Sequence, residues 1–458
     1  MKKLSEELSQ RGEEVYELHA QHINPQFVKV LKAIHFDRAF VRGEGQYLYD
    51  KDGNQTLDLL GGYGVFNVGR NHPKIKAALK HAIDLDLPNL VKMDCALLSG
   101  FLAEELVKRT PAPLDRVFFA NSGAETVEAA IKFARATTGK PGLLSWDNAF
   151  HGLTMGALSL TGCASFRERF GPFLGGARSI PFDDLEALEH ELKKGDVAAL
   201  FCEPIQGKGV HLPSPGFFQK AKALLEKYGA LLVMDEVQTG LGRTGKFLAI
   251  EHEDVVPDIV TVAKALSGGM IPVGAVLMTK RVHSATFDRM DRCIVHGSTF
   301  YQNDLAMAAG LATLEVLDEE KLVENADTIG ELLRTKLRAL KEKHPVILEV
   351  RGRGLMIAIE FKAPDGFFNK MKWAVLDKLE KGLFTQVVIM TLLDKHRILS
   401  QVAGHKMDVL KFLPPLTLNA SDVDRIVDAL DQTLGGSNVG AGMLEMGLNL
   451  GKHAIAGR

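Results

Sequence analysis

Between about residue 70 and residue 315, short apolar runs alternate with longer stretches of helical periodicity, and this alternation most narrows the folds open to the chain. RVFFA precedes ETVEAAIKFARATTG, VAALF precedes a loop, and ALLVM follows GFFQKAKALLEKYG. In that last segment Phe217, Phe218, Ala221, Leu224, Leu225 and Tyr228 mark one helical face, and Gly229 is placed to end the helix. Strands alternating with helices predict an α/β domain on a mostly parallel sheet over residues 70–315. A chain of 458 residues exceeds what one core organises, so further units are expected on both sides. Residues 1–69 read as a charged amphipathic helix to about residue 35, then short strands joined by a turn at Asp52-Gly53. Residues 316–435 read as a smaller α+β domain, with strand-like VILEVRGRGLMIAIEF and a helix near Asp422 to Leu434. The small-residue tail 436–458 carries no assignment.

Charge excludes several partners. Lys and Arg number 55 against 57 Asp and Glu, so no field favours nucleic acid or an anionic membrane. The cysteines Cys95, Cys163, Cys202 and Cys293 have neither close pairing nor metal-ligand spacing, which predicts reduced thiols and no metal site. The first residues lack the apolar core of a signal peptide, and apolar runs such as QVVIMTLL, Gln386 to Leu393, are too short to span a bilayer. A cytoplasmic protein is expected.

In open parallel sheets ligands bind beyond the carboxyl ends of the strands. RVFFA is followed by Asn121-Ser122-Gly123-Ala124 and a helix, VAALFC by Glu203-Pro204, ALLVM by Asp235-Glu236-Val237-Gln238, and DIVTVA by Lys264. At a helix start, Ser122, Gly123 and Ala124 offer N–H groups and a dipole end to a phosphate, though an ordinary cap looks the same. Asp235 can hold a protonated heterocyclic nitrogen, and it can equally be a metal or capping carboxylate. Lys264, between Ala263 and Ala265, has a partly desolvated amine suited to Schiff-base chemistry, whereas most lone lysines are surface charges. A carbonyl cofactor with a phosphate and a basic ring nitrogen uses all three features, and pyridoxal phosphate is such a molecule.

FANSGAETVEAAIKFAR, AFHGLTMGALSLTG, FCEPIQGKGV, LLVMDEVQTGLGRTG, DIVTVAKALSGGMIPVGAV and HGSTFYQNDLA occur in this order. Through these motifs the chain resembles the class III aminotransferases, the ornithine, acetylornithine and 4-aminobutyrate group of fold type I, over roughly residues 40–435. The resemblance implies that Lys264 is the Schiff-base lysine and proton shuttle, and that Asp235 keeps the pyridine nitrogen protonated. It implies stacking by Phe150 on one ring face, apolar contact from Val237 on the other, and Gln238 near the phenolic oxygen. Ser122, Gly123 and Ala124 match the phosphate cup. Thr299 resembles the threonine that reaches the partner's phosphate, which implies a homodimer. His151 reads as a brace for its loop rather than a proton donor, and Tyr63 resembles an entrance tyrosine of the ornithine branch.

Two departures bear on substrate. Relatives that grip a substrate carboxylate carry FHGRT, and here FHGLT places Leu153 at the arginine's position. Lys411 precedes FLPPL where the family tends to have arginine, leaving a Glu203–Lys411 pair conceivable without the bidentate fork. A buried Leu153 favours an apolar amine, with LFTQVVIMTLLDKHRILSQVAGHKM either lining its pocket or forming core. A diamine meeting Glu203 stays open, as does an amino acid held by Arg351 or Arg353. The leading expectation is ping-pong transfer from a primary amine to a 2-keto acid. The alternatives are an ornithine-, acetylornithine- or 4-aminobutyrate-type amino acid aminotransferase, aminomutase, racemase or decarboxylase chemistry on the same scaffold, or a non-catalytic binder.

Overall fold

The computed structural model describes residues 2–91, 93–363, 382–404 and 407–435, and the tail at 436–458 lies outside them. The first helical stretch is broken rather than continuous. Helices Lys2–Arg11 and Val15–His22 give way to Pro25–Ala33, because Asn24 caps a new helix whose first residue is proline. Strands β1 (Phe40–Glu44), β2 (Tyr47–Asp50) and β3 (Gln55–Asp58) follow. The β2–β3 turn closes where Gly53 takes φ +81° and the Asp50 carboxylate accepts the N–H groups of Asp52 and Asn54.

The central sheet contains β4 (Leu114–Ala120), β5 (Gly142–Trp146), β6 (Ala177–Ile180), β7 (Val197–Cys202), β8 (Leu231–Asp235), β9 (Ile259–Val262) and β10 (Gly274–Thr279). Its order is β4-β10-β9-β8-β7-β5-β6, and only β10 runs against its neighbours. Every residue of β5, β7, β8 and β9 is buried, as continuous apolar runs require of a sheet covered on both faces. Alternation divides them. Ala199, Phe201, Leu231 and Val233 pack with Val127, Ala130 and Phe133 of the helix Gly123–Thr138. Leu200, Leu232 and Met234 belong to the opposite core, with Leu102, Leu106, Met307 and Leu314 of the helices Leu97–Lys108 and Asp304–Glu319. The α/β expectation is met, as is the Phe217–Lys227 helix, beyond whose end Gly229 takes φ +63°.

The helix Asp304–Glu319 runs across residue 315, so the junction expected there falls inside an element. Beyond it, the helix Leu322–Lys343 packs on a second sheet formed by β11 (Ile347–Arg353) and β12 (Met356–Phe361), with β14 (Gln401–Val402) and β15 (Val409–Phe412), in the order β11-β12-β15-β14. Between β12 and β14, the short β13 (Ile398–Leu399) pairs in parallel with β3, tying the N-terminal strands to the C-terminal part. The helix Leu383–His396 buries Leu383, Phe384, Val387, Val388, Ile389 and Leu392 in the main core. The helical part of this stretch is therefore core, whereas residues 401–404 near its other end line the cavity described below.

Candidate active site

The carboxyl ends of β7, β8 and β9 converge, with the second sheet, on a cavity of about 520 Å³. Lys264 enters directly after β9. Its backbone takes φ +45°, an unfavourable conformation for a residue with a Cβ, so local packing must hold it there. Its amine faces the cavity, and burial lowers its pKa against the opposing pull of Asp235 and Glu203. Such an amine is a better nucleophile near neutrality than an exposed one.

Asp235 ends β8 and is buried. Oδ1 accepts the Val237 N–H (3.1 Å) and the Thr261 hydroxyl (3.2 Å). Oδ2 lies 2.7 Å from His151 Nδ1, and because a carboxylate only accepts, Nδ1 carries the proton. Burial opposes protonation of His151, but the bond and charge of Asp235, with Glu203 nearby, raise its pKa. His151 Nε2 has no hydrogen-bond partner among the described residues. The brace expected of His151 is thus directed at Asp235.

Gly123 and Ala124 line the cavity at the start of the helix Gly123–Thr138, where the first N–H groups have no intrahelical acceptor. Ser122 caps that helix by accepting the Glu125 N–H (3.2 Å). A Cβ on Gly123 would stand 2.8 Å from Val237 Cγ1, so only glycine allows the helix start to meet the loop after β8. Phe150 and Val237 both line the cavity, and the Phe150 ring meets Phe166 edge-on at 5.6 Å. Glu203 joins two loops, accepting the Phe150 N–H on Oε1 (3.1 Å) and the Gly207 N–H on Oε2 (2.7 Å). Burial raises its pKa. Gln238 donates from Nε2 to the Tyr63 carbonyl (3.0 Å). Tyr63 sits at the mouth, 60% exposed, on a left-handed turn at Gly62 and Tyr63.

Several expectations are corrected. Leu153 is outside the cavity and 55% exposed: Gly152 at φ +126° turns the chain, and the Thr154 hydroxyl is bonded to Glu128 (2.6 Å). Lys411 does reach the site, but it makes no direct ion pair with Glu203. Its Nζ donates to the Gly207 carbonyl (2.5 Å) and Gln238 Oε1 (2.7 Å). Burial, aided by the charges of Lys264 and Arg243 and opposed by Glu203, lowers the Lys411 pKa to about 7. Arg351 is occupied by the carbonyls of Gly209 and Val210 and by Glu349 and Glu360, and Arg353 by Glu253 (2.8 Å). Neither is a free carboxylate receptor. Thr299 is exposed and lies outside its own chain's cavity, beside Gly297 and Ser298.

Lys208 and Phe166, which no sequence argument singles out, are on the cavity wall, together with residues 401–404 of the apolar stretch that precedes Lys411. Lys208 stands within FCEPIQGKGV, a loop whose sequence carries no period to say which way its charge points. Gln401 faces Lys411 across the β14–β15 pairing, a proximity no local pattern announces. Among the described residues no group of His, Cys, Asp and Glu suits a metal, and no helix is long and apolar enough to cross a membrane.

A family model described as class III aminotransferase matches residues 31–434. The chain is 36% identical to aminotransferase PigE of a Serratia species over 449 residues, covering 91% of this chain and 53% of that protein, so it spans about half the length of this curated relative. The ornithine aminotransferase of Toxoplasma gondii is similar in structure (TM-score 0.79, 31% identity, 92% of this chain and 94% of that one). So is an amine transaminase from an uncultivated Pseudomonas species in its pyridoxal-phosphate-bound form (TM-score 0.74, 29% identity, 88% and 96%).

Proposed function

The chain belongs to the class III aminotransferases, and from that premise we propose that it moves an amino group from a primary amine to a 2-keto acid by a ping-pong mechanism, with pyridoxal phosphate held at Lys264. One observation carries this reading: a desolvated lysine amine and a buried, triply hydrogen-bonded aspartate open onto one cavity beside a helix start bared by glycine. The residues fit the cofactor. Gly123 and Ala124 offer N–H groups to its phosphate, Asp235 offers an acceptor to its ring nitrogen, and Phe150 and Val237 offer apolar surfaces to its ring. When bound, pyridoxal phosphate supplies an electron sink that acidifies the substrate hydrogen next to the amine.

The protein's own groups do the rest. Lys264 would hold the cofactor through its amine, and its lowered basicity suits that amine to take a proton from bound substrate and give it back. His151 fixes the orientation of Asp235, and the Phe150 and Gly207 N–H bonds to Glu203 hold the cavity walls. The apolar wall of Phe150, Phe166, Val237, Val402 and Ala403 favours a donor with a hydrocarbon body, an argument that no longer needs Leu153. Thr299 is proposed to complete the neighbouring subunit's site in a homodimer. Support comes from its exposed segment, where Met290 (93%), Ile294 (67%) and Phe300 (63%) present apolar surface. The described cysteines are unpaired, in keeping with a cytoplasmic setting.

The test adds single amines, without keto acid, to holoprotein and follows its visible absorption. Ornithine, 4-aminobutyrate, putrescine and a long-chain alkyl amine form the panel. Stoichiometric conversion of the cofactor to its amine form, with release of a carbonyl product, is expected with the alkyl amine. Isomerisation, racemisation or loss of carbon dioxide without that conversion would replace the aminotransferase reading with mutase, racemase or decarboxylase chemistry.

A further inference from the structure

The loop after β7 holds a cation that no role above uses. Gly207 is fixed on both sides, its N–H to Glu203 and its carbonyl to Lys411, and the Gly209 N–H reaches the Ala403 carbonyl (3.4 Å). Between them Lys208 lays its stem beside Gly404, where an added Cβ would stand 3.6 Å from Lys208 Cβ. Its Nζ is buried, finds no oxygen or nitrogen acceptor among the described residues, and lies 4.6 Å from the centroid of the Phe166 ring. It also neighbours the Cys163 thiol, whose pKa it helps to lower against the effect of burial. A buried ammonium with only a thiol and a ring face beside it is costly, and an anion beside it removes that cost.

Among the described residues lining the cavity, the other lysines are engaged. Lys264 is assigned to the cofactor, and Lys411 already donates to Gly207 and Gln238. The carboxylates of Asp235 and Glu203 are likewise occupied by hydrogen bonds. We infer that Lys208 receives the carboxylate of the acceptor 2-keto acid, an assignment that rests on the aminotransferase reading above. The same ammonium repels the distal ammonium of a diamine, so the site sorts donors and acceptors alike by the sign of their charge. Putrescine is therefore excluded as a good donor, and a donor with a carboxylate-bearing tail is admitted.

The experiment uses holoenzyme with Lys208→Gln and Lys208→Arg. Calorimetric titration with glutarate, a dicarboxylate that cannot react, reads binding. KM and kcat for 2-oxoglutarate, set against those for butanal, read turnover. Lys208→Gln is expected to weaken glutarate, and to raise the KM for 2-oxoglutarate relative to butanal, by about ten- to a hundred-fold, the loss of one charge-assisted hydrogen bond. Lys208→Arg is expected to restore most of both. Glutarate binding that is undetectable in the wild type, or unchanged in Lys208→Gln, would overturn the assignment even if amination proceeds. Lys208-dependent glutarate binding in a protein that converts no keto acid would keep the carboxylate site and remove the aminotransferase reading instead.

Discussion

Lys264 and Asp235 divide the work between nucleophile and fixed charge, and their substitutions should fail in different ways. Lys264→Ala is expected to lower kcat by at least ~10³-fold, since nucleophile and proton carrier are lost together. Asp235→Asn keeps an oxygen for the Val237 and Thr261 donors but loses the charge that faces His151, so kcat should fall about 10²-fold or more with little change in the unfolding midpoint. Steady-state kinetics beside thermal unfolding separates the two effects. Lys411 adds a pH dependence. Its pKa of about 7 makes it charged below that value and neutral above, with Lys264, Arg243 and Glu203 as the charged groups acting on it and Lys208 on the same wall. In the cofactor-free protein, where Lys264 is a free amine, carboxylate affinity should therefore fall as pH rises through about 7, and Lys411→Gln should flatten that step. An unaltered step in the variant would assign the titration elsewhere.

At the scale of elements, the site is set by where buried strands end. Glu203, Asp235 and Lys264 were legible in the sequence because each follows a fully apolar run, so place in the chain fixed place on the rim. Leu153 and Lys208 sit in loops, where no period says which way a side chain points, so neither's place relative to the cavity is legible in the sequence. Lys411 is singled out by family likeness, and its partners Gly207 and Gln238 lie in loops after β7 and β8 of the central sheet. The turn that presents Tyr63 shows how tightly the two parts are joined. Asp58 accepts the N–H groups of Leu60 and Gly61 and pairs with Arg70, while Gly61 at φ +55° lies against the Leu413 carbonyl, 2.1 Å from where a Cβ would fall. Gly61→Ala is expected to destabilise the protein by at least ~2 kcal/mol. Gly53→Ala, at a left-handed position with open space around it, should cost only the ~1–2 kcal/mol of the backbone conformation. Equal shifts in unfolding midpoint would contradict the close approach.

For the whole molecule, the unfinished feature is Thr299, exposed and outside its own cavity. If it serves the neighbouring subunit, mixing Lys264→Ala with Thr299→Ala subunits should produce one site carrying both native residues, with wild-type cofactor retention. Neither homodimer has such a site. Retention no better than in the Thr299→Ala homodimer would place the threonine's action within its own subunit. The α/β core and its rim followed from alternation along the chain. The sharing of a sheet between β3 and β13, and the pairing that sets Gln401 against Lys411, did not, because pairings between distant segments leave no local pattern. Three lysines, Lys208, Lys264 and Lys411, line one cavity, and only one is assigned to the cofactor. Borohydride reduction of the holoprotein, followed by peptide mass spectrometry, distinguishes them. A single phosphopyridoxyl group on Lys264 is predicted. Attachment to Lys208 or Lys411, or to none of the three, would contradict the assignment.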